Sequence, residues 1–330
     1  MTVRLYKSTD ASAPVLYGAV GSLIGVLDAV LVNGYGTQTA AGWTKPYSGT
    51  NKAVYRMATS GNTGFYLNVQ DSAAGTGGAK EARAWGYETA SAQDTGSGQF
   101  PTTAQLANGV FIRKSATADS TNARAWWIVA DTSCFYLFIE SGDYAAPCPC
   151  TSFGFGDFYT YKSGDAYNCA IIGRSTENSA SFVDTFGLLN NGGGGSSVIS
   201  GNYVARHWTQ SGSAVQVGKC GTTFAGALLT SNMTGEQNTT PANYGLLTYP
   251  NGPDSSLVLS PIWLAHNSAV RGYLKGVWAP CHSLPLNHGD TFSGSGSMTG
   301  KSFVAISMRG FTGGSGTSGQ IMLETSDTWS

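Results

Sequence analysis

The chain has only nineteen carboxylates in 330 residues, so any close set of them stands out. Glu140, Asp143 and Asp157, the last closing Gly154-Phe155-Gly156-Asp157, form such a set. Two carboxyl groups flanking a scissile oxygen are what glycoside cleavage needs as general acid and base. Nothing in the spacing fixes their separation, and capping a turn is the commoner task of an aspartate beside glycine. A second constellation joins Cys281-His282 to His288-Gly289-Asp290, bringing S, N and O donors of the kind that ligate a transition metal. Leu284-Pro285-Leu286-Asn287 lies between them, and a Pro-containing loop whose His and Asp satisfy local backbone groups is the simpler reading. Neither a nucleophile elbow, a P-loop nor a dinucleotide fingerprint is spelled out. Ser295 and Ser318 fall in turn-like glycine runs. The expectation is a protein that is not an enzyme, with no catalytic residues, no cofactor and no metal.

Six cysteines stand at Cys134, Cys148, Cys150, Cys169, Cys220 and Cys281. The opening residues Met1 to Asp10 lack the basic-then-apolar order of a signal peptide. Free, buried thiols are therefore expected rather than three disulfides. Cys148-Pro149-Cys150 is too tight to close on itself, and tighter than usual zinc-ligand spacing.

Aromatic side chains offer contact in place of catalysis. Trp126 and Trp127 are neighbours, and neighbours in a strand point to opposite faces, so one of them can turn outward. An outward Trp or Tyr serves a subunit interface or stacks on the C–H face of a sugar. Trp126, Trp127, Trp85 and Tyr136 are the candidate interface or glycan contacts.

These residues must be positioned by β-structure. Ser22 precedes Leu23 to Val32, and Asn33-Gly34 follows, which predicts one short helix with Ser22 as its cap. Leu23, Val26, Leu27 and Val30 recur at helical spacing and are candidate anchoring residues. A weaker helical turn is expected at Thr103 to Ala107, entered through Pro101. Elsewhere short apolar runs alternate with Gly, Ser, Asn and Asp turns. Such runs include Ala53 to Met57, Phe65 to Val69, Glu81 to Tyr87, Ala123 to Val129, Cys134 to Ile139, Asn168 to Gly173 and Val270 to Trp278. The fold class expected is mainly β, with antiparallel sandwich or barrel-like sheets and one short N-terminal helix. Residues 1–50 read as an N-terminal arm with the helix. Residues 51–330 read as a β-rich body, with a candidate division into two lobes near 164. Asn190 to Ser197, rich in glycine, reads as an exposed loop.

Charge is scarce. Asp, Glu, Lys and Arg make up 11% of the chain, against about 25% in ordinary soluble domains. The net charge of −1 leaves no basic field for nucleic acid. The longest apolar stretch, Leu23 to Val32, is interrupted by Gly25 and Asp28 and is too short for a membrane span. Weakly charged faces can dock without desolvating ions, which suits a subunit of a symmetric assembly.

Several segments carry a family likeness. They are Met1 to Asp10, Val32-Asn33-Gly34-Tyr35-Gly36 with Ala41-Gly42-Trp43-Thr44-Lys45-Pro46-Tyr47, and Leu259-Ser260-Pro261-Ile262-Trp263. Arg271 to Trp278, His288-Gly289-Asp290-Thr291-Phe292 and Leu323 to Trp329 complete the set. With these the chain resembles the virion structural proteins of tailed bacteriophages, some of them tail-associated. The resemblance implies a particle component made in the host bacterial cytoplasm and carried in the virion, a tail or tail-tip protein forming a symmetric homo-oligomer. Copies of itself and other phage structural proteins are the implied partners. The alternatives are a host-glycan-binding adhesin and a capsid decoration or neck protein.

Overall fold

The computed structural model describes residues 2–143, 149, 151–178, 201–220, 250–266, 269–281, 286–307 and 320–329. The N-terminal part holds β1 (Arg4–Lys7), α1 (Ser22–Leu27), β2 (Thr44–Gly49), β3 (Lys52–Arg56), β4 (Tyr66–Gln70), β5 (Glu81–Tyr87), β6 (Thr89–Ala92), β7 (Thr95–Ser97) and β8 (Val110–Arg113). Then come β9 (Trp126–Ala130), β10 (Cys134–Ile139), β11 (Thr151–Asp157), β12 (Tyr159–Thr160), β13 (Cys169–Ile172), β14 (Asn202–Val204), β15 (Val215–Gln216) and β16 (Gly218–Cys220). The chain ends through β17 (Leu259–His266), β18 (Ala269–Pro280), β19 (Thr291–Ser293), β20 (Ser302–Ser307) and β21 (Gln320–Glu324).

These strands pair antiparallel into a three-layer stack. The central sheet runs β1-β9-β10-β11-β13-β14-β15. On one side lies the sheet β2-β3-β4-β5-β8, and on the other β16-β17-β18-β21-β20-β19, with β12 also paired to β18. Successive residues of the central strands feed alternate cores, as the period of two requires. Tyr6, Trp126, Ile128, Phe135, Leu137, Phe153 and Ile171 pack towards the β2–β8 sheet and α1. Val129, Cys134, Tyr136, Phe138, Ala170 and Ile172 pack towards Ile262, Leu264, Val277, Val304, Ile306 and Leu323 of the outer sheet. Two-sided burial explains why Cys134-Phe135-Tyr136-Leu137-Phe138-Ile139 is an unbroken apolar run. Opposite it, β11 carries Gly154 across from Tyr136 and Gly156 across from Cys134. A Cβ on Gly154 would sit 2.9 Å from the Tyr136 ring, so the glycine makes room for it.

The helix forms where expected but is capped differently. Gly21, in the left-handed region at φ 75°, is its N-cap, while the Ser22 hydroxyl accepts a hydrogen bond from the Tyr17 amide. The Leu23 amide is instead satisfied by Asp71 Oδ2 at 2.8 Å, reaching across from the end of β4. Asp71 Oδ1 also accepts from Lys114 Nζ at 2.5 Å, and Lys114 donates to the Ala19 carbonyl. Beyond Leu27 the coil widens into a π-helical turn over Asp28–Asn33, closed by Gly34 at φ 78°.

Four expectations change. Leu23, Val26, Leu27 and Val30 are all fully buried in the core, so they fix the helix inside the molecule and are not on hand as an external anchor. β1 pairs with β9 in the central sheet, so residues 1–50 are built into the stack and do not form a separate arm. β13–β15 lie in the same sheet as β1 and β9–β11, so position 164 is spanned by one continuous sheet. Thr103 to Ala107 makes a turn and not a helix, closed by the Thr102 amide donating to Gln105 Oε1. Asn190 to Ser197 lies outside the described residues. Among the described residues no helix is long and apolar enough to cross a membrane.

The Asp71–Lys114 pair is fully buried on both sides. Burial raises the Asp71 carboxyl from 3.8 to about 6 and lowers the Lys114 ammonium. A carboxyl raised on folding favours the folded state most below its unfolded value, and that contribution is lost as pH climbs towards 6. Lys114→Met leaves the Asp71 charge unmatched, and is expected to cost about 3–5 kcal/mol at neutral pH in urea unfolding. The deficit should shrink near pH 4, where Asp71 neutralises. A pH-independent deficit would show that the charge is not the cause.

Candidate functional site

The aromatic candidates on the central sheet turn inward because that sheet has no free face. Trp126 is fully buried and donates its indole N–H to the Pro14 carbonyl at 3.1 Å. Trp127 is half-buried against the other core, its ring meeting the His288 ring edge-on at 4.6 Å. Trp85 is buried on the β5 strand, and Tyr136 packs on Trp329 at 6.0 Å. All four pack within this chain, Trp127 with part of its surface left open.

The carboxylates do not converge either. Arg113 grips Asp143 through two bonds of 2.8 and 2.7 Å and reaches Glu81 at 3.5 Å. Asp157 accepts from the Thr63 amide at 2.9 Å and the Thr63 hydroxyl at 2.6 Å, tying β11 to the loop before β4. Burial raises both Asp157 and Glu140. The register pairs Ile139 with Thr151 and Cys134 with Gly156, so Glu140 and Asp157 sit at opposite ends of the β10–β11 hairpin. At a strand's rise per residue that is roughly 20 Å, beyond the separation a glycosidase pair uses.

Around the histidine loop, Asp290 Oδ2 accepts from the Asn287 amide at 2.7 Å, and burial lowers the His288 imidazole. His282 lies outside the described residues. Among the described residues no three His, Cys, Asp or Glu side chains group as metal ligands do. Cys134, Cys169 and Cys281 are buried free thiols, and burial pushes the first two well above the ordinary value. Cys148 and Cys150 lie outside the described residues.

The outer sheet is different, because one of its faces looks away from the stack. The register places Trp263 of β17 opposite Tyr273 of β18, and Tyr273 opposite Tyr159 of β12. Directly opposed residues share a face, so three strands set three rings in one row. Tyr273 and Tyr159 lie 5.2 Å apart, and Tyr161 lies 6.0 Å from Tyr273. Trp263 Nε1 donates to the Tyr161 hydroxyl at 3.2 Å. Tyr161 is 62% exposed, the most open large side chain among the described hydrophobics. Further along the same sheet, Trp278, Phe303 and Met322 are covered by Leu257, Leu259, Leu286, Phe292 and Met298. The aromatic end keeps an exposed ring where the other end is roofed.

The row is held from beneath. Gly272 is obligatory, since a Cβ there would meet the Tyr159 carbonyl oxygen at 1.8 Å. Arg271 holds Asp165 by two bonds of 2.9 and 2.8 Å, and also donates to the carbonyls of Tyr167 and Arg206. The Tyr161 amide donates to the Arg271 carbonyl at 2.8 Å, and Thr160 Oγ1 donates to Asp165 at 2.9 Å. Tyr159 donates its hydroxyl to the Trp329 carbonyl at 2.9 Å, and burial pushes its phenol up to about 12. At neutral pH Tyr159 therefore keeps its proton. Nearby, Lys301 pairs with Glu324 at 2.9 Å. A separate cluster places His207 5.0 Å from the half-exposed Trp208 and 5.5 Å from His266.

The row carried a sequence signal that the adjacent tryptophans obscured. In Ile262-Trp263-Leu264 the alternation sets Trp263 against two core residues, and Tyr159-Thr160-Tyr161 alternates likewise.

No family model matches the chain, and no curated protein matches it.

Asp165 and Arg271 are both almost wholly buried. Arg271→Met is expected to cost about 3–5 kcal/mol by stranding Asp165, with Arg271→Lys losing less because it keeps the charge but not the fork. Urea unfolding measures both, and equal stability of the Met variant with the parent would contradict the pinning role.

Proposed function

We propose that this protein is a structural component of a tailed-bacteriophage virion, associated with the tail or its tip and assembling as a symmetric homo-oligomer. It works by contact and not by turning over a substrate. The resemblance of both ends of the chain to such proteins supports the particle assignment. The observation that carries the assembly reading is where the charge goes. Nine ion pairs among the described residues engage eight of the eighteen Lys and Arg and nine of the nineteen Asp and Glu. Just under half of an already sparse supply of charge is thus matched within the chain, leaving faces whose burial desolvates few ions. Cyclic contacts between such faces suit the rings and trimers from which particles are built.

A contact surface of this kind depends little on salt, since screening acts on exposed charge. Light scattering of the purified protein should give the mass of a closed oligomer that persists from low to high salt. A monomer at micromolar concentration, or an oligomer dispersed by salt, would contradict the reading. Residues 1–20 include β1, so their removal is expected to unfold the chain rather than release an intact body from its partner, as loss of cooperative melting would show.

A further inference from the structure

We propose that the row formed by Tyr161, Trp263, Tyr273 and Tyr159 is a binding site for a neutral polysaccharide; the site rests on the reading of the protein as a contact component of a particle. Sugar rings offer flat C–H faces ringed by hydroxyls, and Tyr and Trp offer flat faces with one polar edge. The row supplies such faces on three adjacent strands, so an extended chain lying across the strands meets successive rings.

The rings are also set in advance. Trp263 is hydrogen-bonded to Tyr161, Tyr159 to the Trp329 carbonyl, and Tyr273 is flanked by two tyrosines. Side chains with two torsions, already fixed, lose little freedom on binding. Burial raises the Tyr159 and Tyr273 phenols, and tyrosine hydroxyls can both donate and accept.

Charge argues for a neutral ligand. Arg271 is matched by Asp165 and Lys301 by Glu324, while Lys275 lies 5.4 Å over the Tyr159 ring and donates to the neutral Ser133 hydroxyl, and Lys162 adjoins Tyr161 in sequence. Two lysines make a thin field for an acidic polymer, whereas an uncharged one pays no ionic desolvation. A protein interface also uses such rings, but sets them in a wider, more apolar buried core. At this end of the sheet Val270, 37% exposed, is the one large aliphatic side chain that is open among the described residues.

The test uses the full chain on an array of neutral bacterial surface polysaccharides, with dextran sulfate as the charged comparison. The parent should retain at least one neutral polysaccharide and not dextran sulfate. Tyr161→Ala and Trp263→Ala should each weaken retention about fivefold to tenfold, the worth of one aromatic contact. Tyr161→Ala should melt with the parent, because the ring is mostly exposed. Val20→Ser, at an exposed position in the segment before α1, should bind like the parent. Retention of no neutral polysaccharide, preference for dextran sulfate, or parental binding by Tyr161→Ala would overturn the site. Mass spectrometry of purified particles separates the two claims. Protein present in particles but binding no polysaccharide would sink the site alone. Polysaccharide binding by a protein absent from particles would sink the particle role alone.

Discussion

The burial of one antiparallel sheet on both faces is the constraint from which the rest of this structure follows. In β10 and β11 every residue is inside. The β10 strand sends alternate side chains to two separate cores, while β11 sends Phe153 and Phe155 to one and places Ser152, Gly154 and Gly156 at the alternate positions. A sheet so placed needs a partner layer on each side, and the chain supplies one before β9 and one largely after β15. It also needs relief where large rings from β10 meet β11, which Gly154 and Gly156 provide. Fully burying each large apolar side chain is worth about 1.5–3 kcal/mol, so the two cores together can offset the ordering of a long, glycine-rich chain.

Two-sided burial also dictates where polar groups go. Buried charge must be matched, and the pairs Asp71–Lys114, Asp143–Arg113 and Asp165–Arg271 each join segments distant in sequence. Asp71 satisfies a helix amide and an ammonium at once, so one carboxylate locks α1 against the strands beneath it. These three pairs commit six charged side chains to the interior. The β16–β21 sheet, an outer layer with one face turned from the stack, gathers tyrosine and tryptophan in a row on that face.

The β-class of the fold was legible from short apolar runs such as Phe65 to Val69 and Cys134 to Ile139 between turn residues, and the helix from Leu23, Val26, Leu27 and Val30. What the sequence did not reveal was the number of layers. A strand buried on both faces and one buried on one face differ only in whether alternate positions are polar, and Trp126-Trp127 satisfies either. Hence one tryptophan was expected outside, when a third layer covers both. β11 was hidden because its glycines, which serve the Tyr136 ring, read locally as a turn. The contact row went unseen because Tyr159, Trp263 and Tyr273 are distant in sequence and meet only through β12–β18 and β17–β18 pairing. Asp71 and Lys114 gave no local sign at all, since neither has its partner within reach along the chain.

Contact, not turnover, is the central claim, and electron cryomicroscopy of the phage particle tests it most directly. The account predicts density for this three-layer module on the tail, repeated around the particle axis, with the face bearing Tyr161 turned outward. Particles complete without any such density, in preparations where the protein is made, would contradict it.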